Sequence, residues 1–155
     1  MRLQNMGVEP FVISSAVLGV VAQRLLRTVC TGCKQLNPAS DNMISAFGLP
    51  VINGGPPMIA SGAGCGRCNG TGMKGRVAVY EIMVMSETLR DMALRRCTRQ
   101  QLRMQAISEG MTTMRDAAIL KVVQGITTPR EIGRTLLSDE NWGEGVMPTR
   151  QLRAA

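Results

Sequence analysis

"CGRCNGTGMKG", residues 65 to 75, sets two cysteines two residues apart among four glycines, and its reading decides what kind of fold the chain can have. A C-x-x-C turn converges two thiolates on one side of a knuckle, and two knuckles complete a tetrahedral shell around a metal. "CTGC", residues 30 to 33, is the second knuckle. Cys30, Cys33, Cys65 and Cys68 are therefore expected to hold one structural Zn2+, with iron as the other ion that four thiolates accept. The intervening residues 34–64 make a longer loop than the commonest zinc ribbons have. Closure entropy rises only slowly with loop length, so the pairing stands. Gly32, Gly66 and Gly70 supply the freedom that knuckles need. Lys34 and Arg67 would offset the negative charge of a four-thiolate site. A closed shell leaves no position for water, and no catalysis is assigned to it.

Three other readings of these residues are weaker. Disulfides need an oxidising compartment. A G-x-G-x-x-G match at Gly70–Gly75 should follow a strand and open a helix, but this one follows a knuckle and leads into a strand-like run. No G-x-x-x-x-G-K-[S/T] occurs in the chain, so a phosphate-binding P-loop is absent from it. C-x-x-C-x-G-x-G also fits the cysteine repeat of DnaJ-type chaperones, yet Cys30–Cys33 lacks the glycines of that repeat. Cys97 stands apart from the four. Arg96 and Arg99 beside it could lower its pKa, but a half-buried cysteine at a helix end is the plainer reading.

The 155 residues are 45% apolar, enough to bury a core. With 12 Met and 3% aromatics, that core is expected to be aliphatic and soft. Net charge is +7, which suits a polyanionic partner. The arginines are dispersed and aromatics are few, which argues against a stacking surface for nucleic acid. No His is present, which removes the commonest general base and nitrogen ligand.

"FVISSAVLGVVA", residues 11–22, is too short to span a bilayer as a helix. Glu9 and Pro10 stand where a signal peptide wants basic residues. The pattern from Phe11 to Val29 predicts a buried helix of a cytosolic protein, with Arg24 and Arg27 in its last turns. Residues 30–75 read as an irregular module, with a short helix near Asp41–Phe47. "RVAVYEIMVM", residues 76–85, predicts a strand. Ser86 caps a helix to about Arg96, and Thr98 with Gln101 makes a capping box for the next. A third helix begins at Thr112 or Thr113 and ends at Gly125. Thr128-Pro129-Arg130-Glu131 combines an N-cap, Pro at N1 and Glu at N3 for a last helix to about Leu137. The tail 138–155 is expected to be frayed.

Taken in order, "RLQNMGVEPFVISSAVLGVVAQRLLRTVCTGC", "CGRCNGTGMKGRVAVYEIM" and "ISEGMTTMRDAAILKVVQGITTPREIGR" resemble the C-terminal part of type II secretion and type IV pilus assembly ATPases, over about Arg2 to Leu137. The resemblance implies a mostly α fold with a small irregular/β zinc module, at the C-terminal end of a P-loop (RecA-like) ATPase domain. It implies residues 1–29 as the C-terminal helix of the ATPase core, 30–75 as the tetracysteine zinc module, 76–137 as a strand plus helical subdomain, and 138–155 as a flexible tail. Zinc ligation carries over to Cys30, Cys33, Cys65 and Cys68, and a place near the nucleotide side to Arg24. The family's Walker motifs, Asp box and His box have no counterpart here, so the chain reads as a C-terminal piece that does not hydrolyse ATP alone. ATP and Mg2+ belong to the full-length parent. Implied partners are the upstream ATPase core, neighbouring subunits of a homo-hexamer and platform proteins at the cytoplasmic face of the bacterial inner membrane. The alternative is a stand-alone zinc-ribbon module that binds nucleic acid or acts like a chaperone.

Overall fold

A computed structural model describes residues 2–51 and 54–136. The described chain is a mixture of helices and two small sheets rather than mostly helical. It divides into two compact units. One takes the chain up to Gln23 together with Tyr80–Ala117, and the other takes Arg24–Val79 together with the chain from Ala118 on. The expected tail 138–155 lies outside the described residues.

The first unit opens with helices α1 (Arg2–Asn5) and α2 (Pro10–Ala16). The single helix expected from Phe11 to Val29 is corrected at this point. The helix stops at Ala16, and Gly19–Val29 forms strand β1. An apolar run cannot be told from a buried strand by periodicity alone. Gly19 at its start and the β-branched pairs Val20-Val21 and Thr28-Val29 favour extended backbone. The partner strand β4 (Met73–Val84) settles the matter by supplying the ladder. The Leu18 carbonyl accepts from the Met85 N–H at 3.0 Å, and the Gly19 backbone passes close to the Met83 carbonyl, so the strands run antiparallel.

After β4 come α4 (Glu87–Leu94) and α5 (Arg99–Ser108), capped by Ser86 and by the Thr98–Gln101 capping box as the sequence predicts. Met85, Leu89, Ala93, Leu102 and Ala106 form this unit's core, with Met83, Met92 and Met111 packed against it. The core is aliphatic as composition suggests, but Met85 is the one buried methionine among the described residues, with Met83, Met92 and Met111 at the margin of this cluster. The Glu81 carboxylate accepts from the Met114 N–H at 3.0 Å, at the start of α6 (Met114–Val123). That contact satisfies one donor that the helix itself leaves orphaned.

In the second unit, β2 (Lys34–Pro38) pairs antiparallel with β3 (Met58–Gly62), Leu36 facing Ala60. Between them lies α3 (Asp41–Phe47), the short helix read from sequence, capped by Ser40 and closed by left-handed Gly48. The last helix, α7 (Pro129–Leu136), begins with Pro at its first position. Its Ile132 is fully buried, as are Leu26 of β1 and Val122 of α6. Two long-range hydrogen bonds tie the α6–α7 turn to β1. The Val29 N–H donates to the Ile126 carbonyl at 2.9 Å, and the buried Thr127 hydroxyl donates to the Arg27 carbonyl at 2.7 Å.

Candidate metal centre

Each knuckle is a tight turn closed by its own backbone. The Cys33 N–H donates to the Cys30 carbonyl, and the Cys68 N–H to the Cys65 carbonyl, both at 3.2 Å. The second knuckle winds as a single 3-10 turn over Gly66–Cys68 and leaves through left-handed Asn69. Left-handed backbone is tolerated by Asn and Gly better than by other residues. Gly70 and Gly72, both with positive φ, then turn the chain into β4. The Cys30 N–H donates to the Gly72 carbonyl at 2.9 Å, which joins the end of β1 to the second knuckle.

These turns bring the four predicted cysteines together. Their Sγ atoms all lie within 4.8 Å of one another, with Cys30–Cys65 at 3.9 Å and Cys33–Cys68 and Cys65–Cys68 at 3.8 Å. Four thiolates at a Zn–S distance of about 2.3 Å in a tetrahedron stand about 3.8 Å apart. Three of the six separations match that spacing and the others do not exceed 4.8 Å, so the donor set suits a tetrahedral metal ion. Cys30 and Cys68 are buried and Cys33 and Cys65 half-buried.

Backbone donors complete the shell. The Cys65 and Gly72 N–H groups each point at the Cys68 sulfur at 3.2 Å. Burial opposes ionisation of Cys68, yet these two amides and the neighbouring thiols hold it down at about 6. Cys33 is pushed up to about 12, by burial first and then by the thiols around it, against the pull of the Gly64 amide. Of the two expected counter-cations, Arg67 runs beside the cluster, crossing next to Gly32 and Cys65. The Lys34 amine is turned to Gly125 instead. The glycine loop 70–75 supplies an amide to sulfur and a bend into β4.

The structure adds a cluster that the sequence reading did not assemble. Glu131 is 2% exposed. Its carboxylate accepts from the Arg27 backbone N–H at 3.2 Å, from Arg27 Nε and Nη2 at 3.0 and 2.9 Å, and from Arg134 Nε and Nη2 at 3.1 and 2.7 Å. The Thr128 hydroxyl caps Glu131 N–H as the T-P-R-E pattern predicts. The acid itself, however, reaches across to β1. Arg27 therefore does not serve a helix C-terminus. Arg134 at i+3 was a readable partner, whereas Arg27 is brought in only by the fold.

Burial raises the Glu131 pKa, but the two guanidiniums and the Arg27 amide outweigh it and hold the acid at about 2. A folded-state pKa below the unfolded one means the folded state binds fewer protons. The contribution is then complete above the ordinary carboxylate range and lost as pH falls toward 2. Both guanidiniums are about half exposed and screened by solvent, so about 2 kcal/mol is expected at neutral pH. Melting curves of the wild type and Glu131→Gln should differ by several degrees at pH 7 and converge only as pH falls to about 2. A gap that persists at low pH would contradict the ionic account.

Arg24 lies at an exposed position of β1 and is not part of the cysteine cluster. Cys97 follows α4, half-buried against the core of the first unit, and is not one of the four clustered cysteines. No helix among the described residues is long and apolar enough to cross a membrane.

Comparison with known proteins follows the same residues. A family model described as "Type II/IV secretion system protein" matches residues 1–134. The type IV pilus assembly ATPase PilB of Thermus thermophilus is 38% identical over 131 residues, 84% of this chain and 15% of that protein. Type II secretion system protein E of Pseudomonas aeruginosa is 36% identical over 133 residues, 86% of this chain and 26% of that protein. The type II secretion system ATPase E of Vibrio cholerae is 35% identical over 133 residues, with the same 86% and 26% coverage. The chain spans about a quarter or less of the length of these relatives.

Proposed function

Because this chain belongs to the type II/IV secretion system protein family, we propose that it is the C-terminal, zinc-containing part of an ATPase that powers pilin or pseudopilin assembly and protein secretion. On this reading it lies at the end of a RecA-like P-loop domain and acts as a structural and interaction module. Cys30, Cys33, Cys65 and Cys68 hold Zn2+, which cross-links two knuckles and performs no chemistry of its own. Four sulfurs gathered within 4.8 Å of one another, three of their separations at 3.8–3.9 Å, are the observation that carries the proposal. Metal analysis of protein purified without chelator should find about one zinc per four-thiolate site. Finding no zinc and no iron near one per chain would refute it.

A second observation supports the larger parent. In the first unit Phe11, Leu18, Val21 and Val84 are each more than 60% exposed. Apolar side chains this exposed suit burial against another domain. An ATPase core of the same polypeptide, within a homo-hexamer docked on inner-membrane platform proteins from the cytoplasm, is the partner proposed for them. Arg24 is proposed to face the nucleotide side of that core, where ATP and Mg2+ bind. The purified chain should turn over ATP no faster than a buffer blank, since it holds no P-loop motif. Turnover clearly above that blank would refute the assignment. A salt-sensitive affinity for duplex or single-stranded DNA would favour the nucleic-acid alternative.

A further inference from the structure

Cys33 and Cys65, one in each knuckle, are half-buried, whereas Cys30 and Cys68 are buried. Each half-buried sulfur stands against a buried sulfur of the opposite knuckle. Cys65 faces Cys30 at 3.9 Å, and Cys33 faces Cys68 at 3.8 Å. These two contacts share no sulfur, so both can close at once and use all four thiols. The Cys65–Cys68 contact within one knuckle is as short, at 3.8 Å. Closing it leaves Cys30 and Cys33 only each other, at up to 4.8 Å. Backbone also ties the first knuckle to both flanks of the second. The Cys30 N–H donates to the Gly72 carbonyl at 2.9 Å, and the Ala63 N–H donates to the Cys33 carbonyl at 3.1 Å.

An accessible thiolate with a second thiolate in reach turns a two-electron oxidant into a disulfide. A peroxide reaches Cys65 or Cys33 first, since these are the less buried sulfurs. That thiolate attacks one peroxide oxygen, the O–O bond breaks, and a sulfenic acid forms as hydroxide leaves. The buried thiolate across the cluster then attacks the oxidised sulfur and displaces its oxygen as a second hydroxide. Two protons turn the two hydroxides into water. One peroxide thus takes two electrons and leaves one disulfide, and two peroxides oxidise the whole cluster. Thiolate is the form of cysteine that holds a metal, so the ion departs as the thiolates are consumed.

We propose that the four-cysteine cluster is a peroxide-sensitive switch, in which oxidation to Cys30–Cys65 and Cys33–Cys68 disulfides releases Zn2+ while the knuckles stay joined. The switch rests on the zinc reading of the cluster. Each cross-knuckle disulfide links residues 35 positions apart. Closing so long a loop restricts the unfolded chain, and the oxidised module stays ordered without its ion. Disulfides within each C-x-x-C would leave the two knuckles free of one another. In a reducing compartment the oxidised form is transient, and thiol exchange returns the metal-binding form.

The test uses the zinc-loaded full chain carrying Cys97→Ser, which removes the one cysteine outside the cluster. Elemental analysis comes first, and absence of zinc at that stage overturns the zinc reading and the switch together. The later outcomes bear on the switch alone. Hydrogen peroxide is added, and a weak chromogenic chelator reports free zinc. About one zinc should appear for every four thiols lost, and dithiothreitol with added zinc should reverse both changes. Trypsin cuts after Arg27, Lys34, Arg67 and Lys74, which places Cys30 and Cys33 in one peptide, Cys65 in a second and Cys68 in a third. Mass spectrometry without reduction should find all three peptides joined, and fragmentation between Cys30 and Cys33 should assign Cys30 to Cys65 and Cys33 to Cys68. Residues 30–75 of the oxidised protein should keep their protection against hydrogen exchange. A looped Cys30–Cys33 peptide beside a separate Cys65–Cys68 pair overturns the proposal, as does the opposite cross-pairing. Sulfinic acids in place of disulfides, zinc retained as the thiols disappear, or loss of protection on oxidation overturn it equally.

Discussion

Stripping zinc from the metal-loaded protein is expected to abolish the protection of residues 30–75 against hydrogen exchange, and one equivalent of zinc should restore it. The reason is the thin burial of that stretch. β2 has no buried residue, and neither has α3. Among the described residues, Ala39, Leu49, Pro57, Ile59 and Ala60 are the apolar side chains buried between the two knuckles. Fixing backbone costs about 1–2 kcal/mol per residue, while full burial of a large aliphatic side chain returns about 1.5–3 kcal/mol. So few buried groups cannot offset the ordering of such a loop. A structural zinc site contributes apparent binding energy on the order of 10 kcal/mol, and where the site forms only on folding, that energy is folding energy. Single Cys→Ser variants at positions 30, 33, 65 and 68 should each reproduce the loss, because three thiolates leave the shell open. Cys97→Ser, outside the cluster, should leave the protection of 30–75 unchanged. Retention of protection in the metal-free protein would mean that hydrogen bonds such as Cys30 N–H to the Gly72 carbonyl hold the module without a metal.

The readable parts of this chain were those whose signal is local. Ser86, Thr98 and Thr128 each announce a helix through a side chain that bonds a backbone N–H three residues on, and all three do so. The cysteine spacing dictates a knuckle within four residues, so the metal ligands could be picked before any pairing of strands was known. The failures are non-local. Gly19–Val29 is strand because β4 lies beside it, and nothing within residues 11–29 encodes that neighbour. Its apolar positions looked like a helix buried on several sides. In the structure Leu26 and Val29 are buried, whereas Leu18, Val20 and Val21 are left exposed. A run apolar on every side served here for a strand with one buried edge and one bare one. The Arg27–Glu131 pair was hidden for the same reason. Its acid looked like a capping residue and its base like a complement to a helix dipole, and only the turn at Ile126–Thr127 brings them together.

Gly72→Ala should cost the protein 3 kcal/mol or more, among the largest effects of any substitution outside the cysteines. Two independent penalties coincide at this residue. Its φ is +71, where an L side chain is strained by about 1–2 kcal/mol. A Cβ there would also sit 2.4 Å from the Gly62 carbonyl oxygen, which is backbone and cannot rotate away. Relief requires β3 to separate from the turn into β4. That movement pulls the Gly72 N–H off the Cys68 sulfur and the Gly72 carbonyl off the Cys30 N–H. Loss of such support around a metal typically weakens binding about 10- to 100-fold. Gly62→Ala presses on the same contact from the other side, with a Cβ 2.0 Å from the Gly72 oxygen, and should behave alike. Two neighbours separate the penalties. Gly70 shares the positive φ, at +77, but a Cβ there meets nothing within 4 Å, so Gly70→Ala should lose only about 1–2 kcal/mol. Gly66 has neither constraint, and Gly66→Ala should be silent in both melting temperature and zinc affinity. Chelator competition and thermal melts on the four variants would give the order directly. If Gly72→Ala proved no worse than Gly70→Ala, the close approach of the two glycine backbones would carry no weight, and the glycines after Cys68 would be there for left-handed backbone alone.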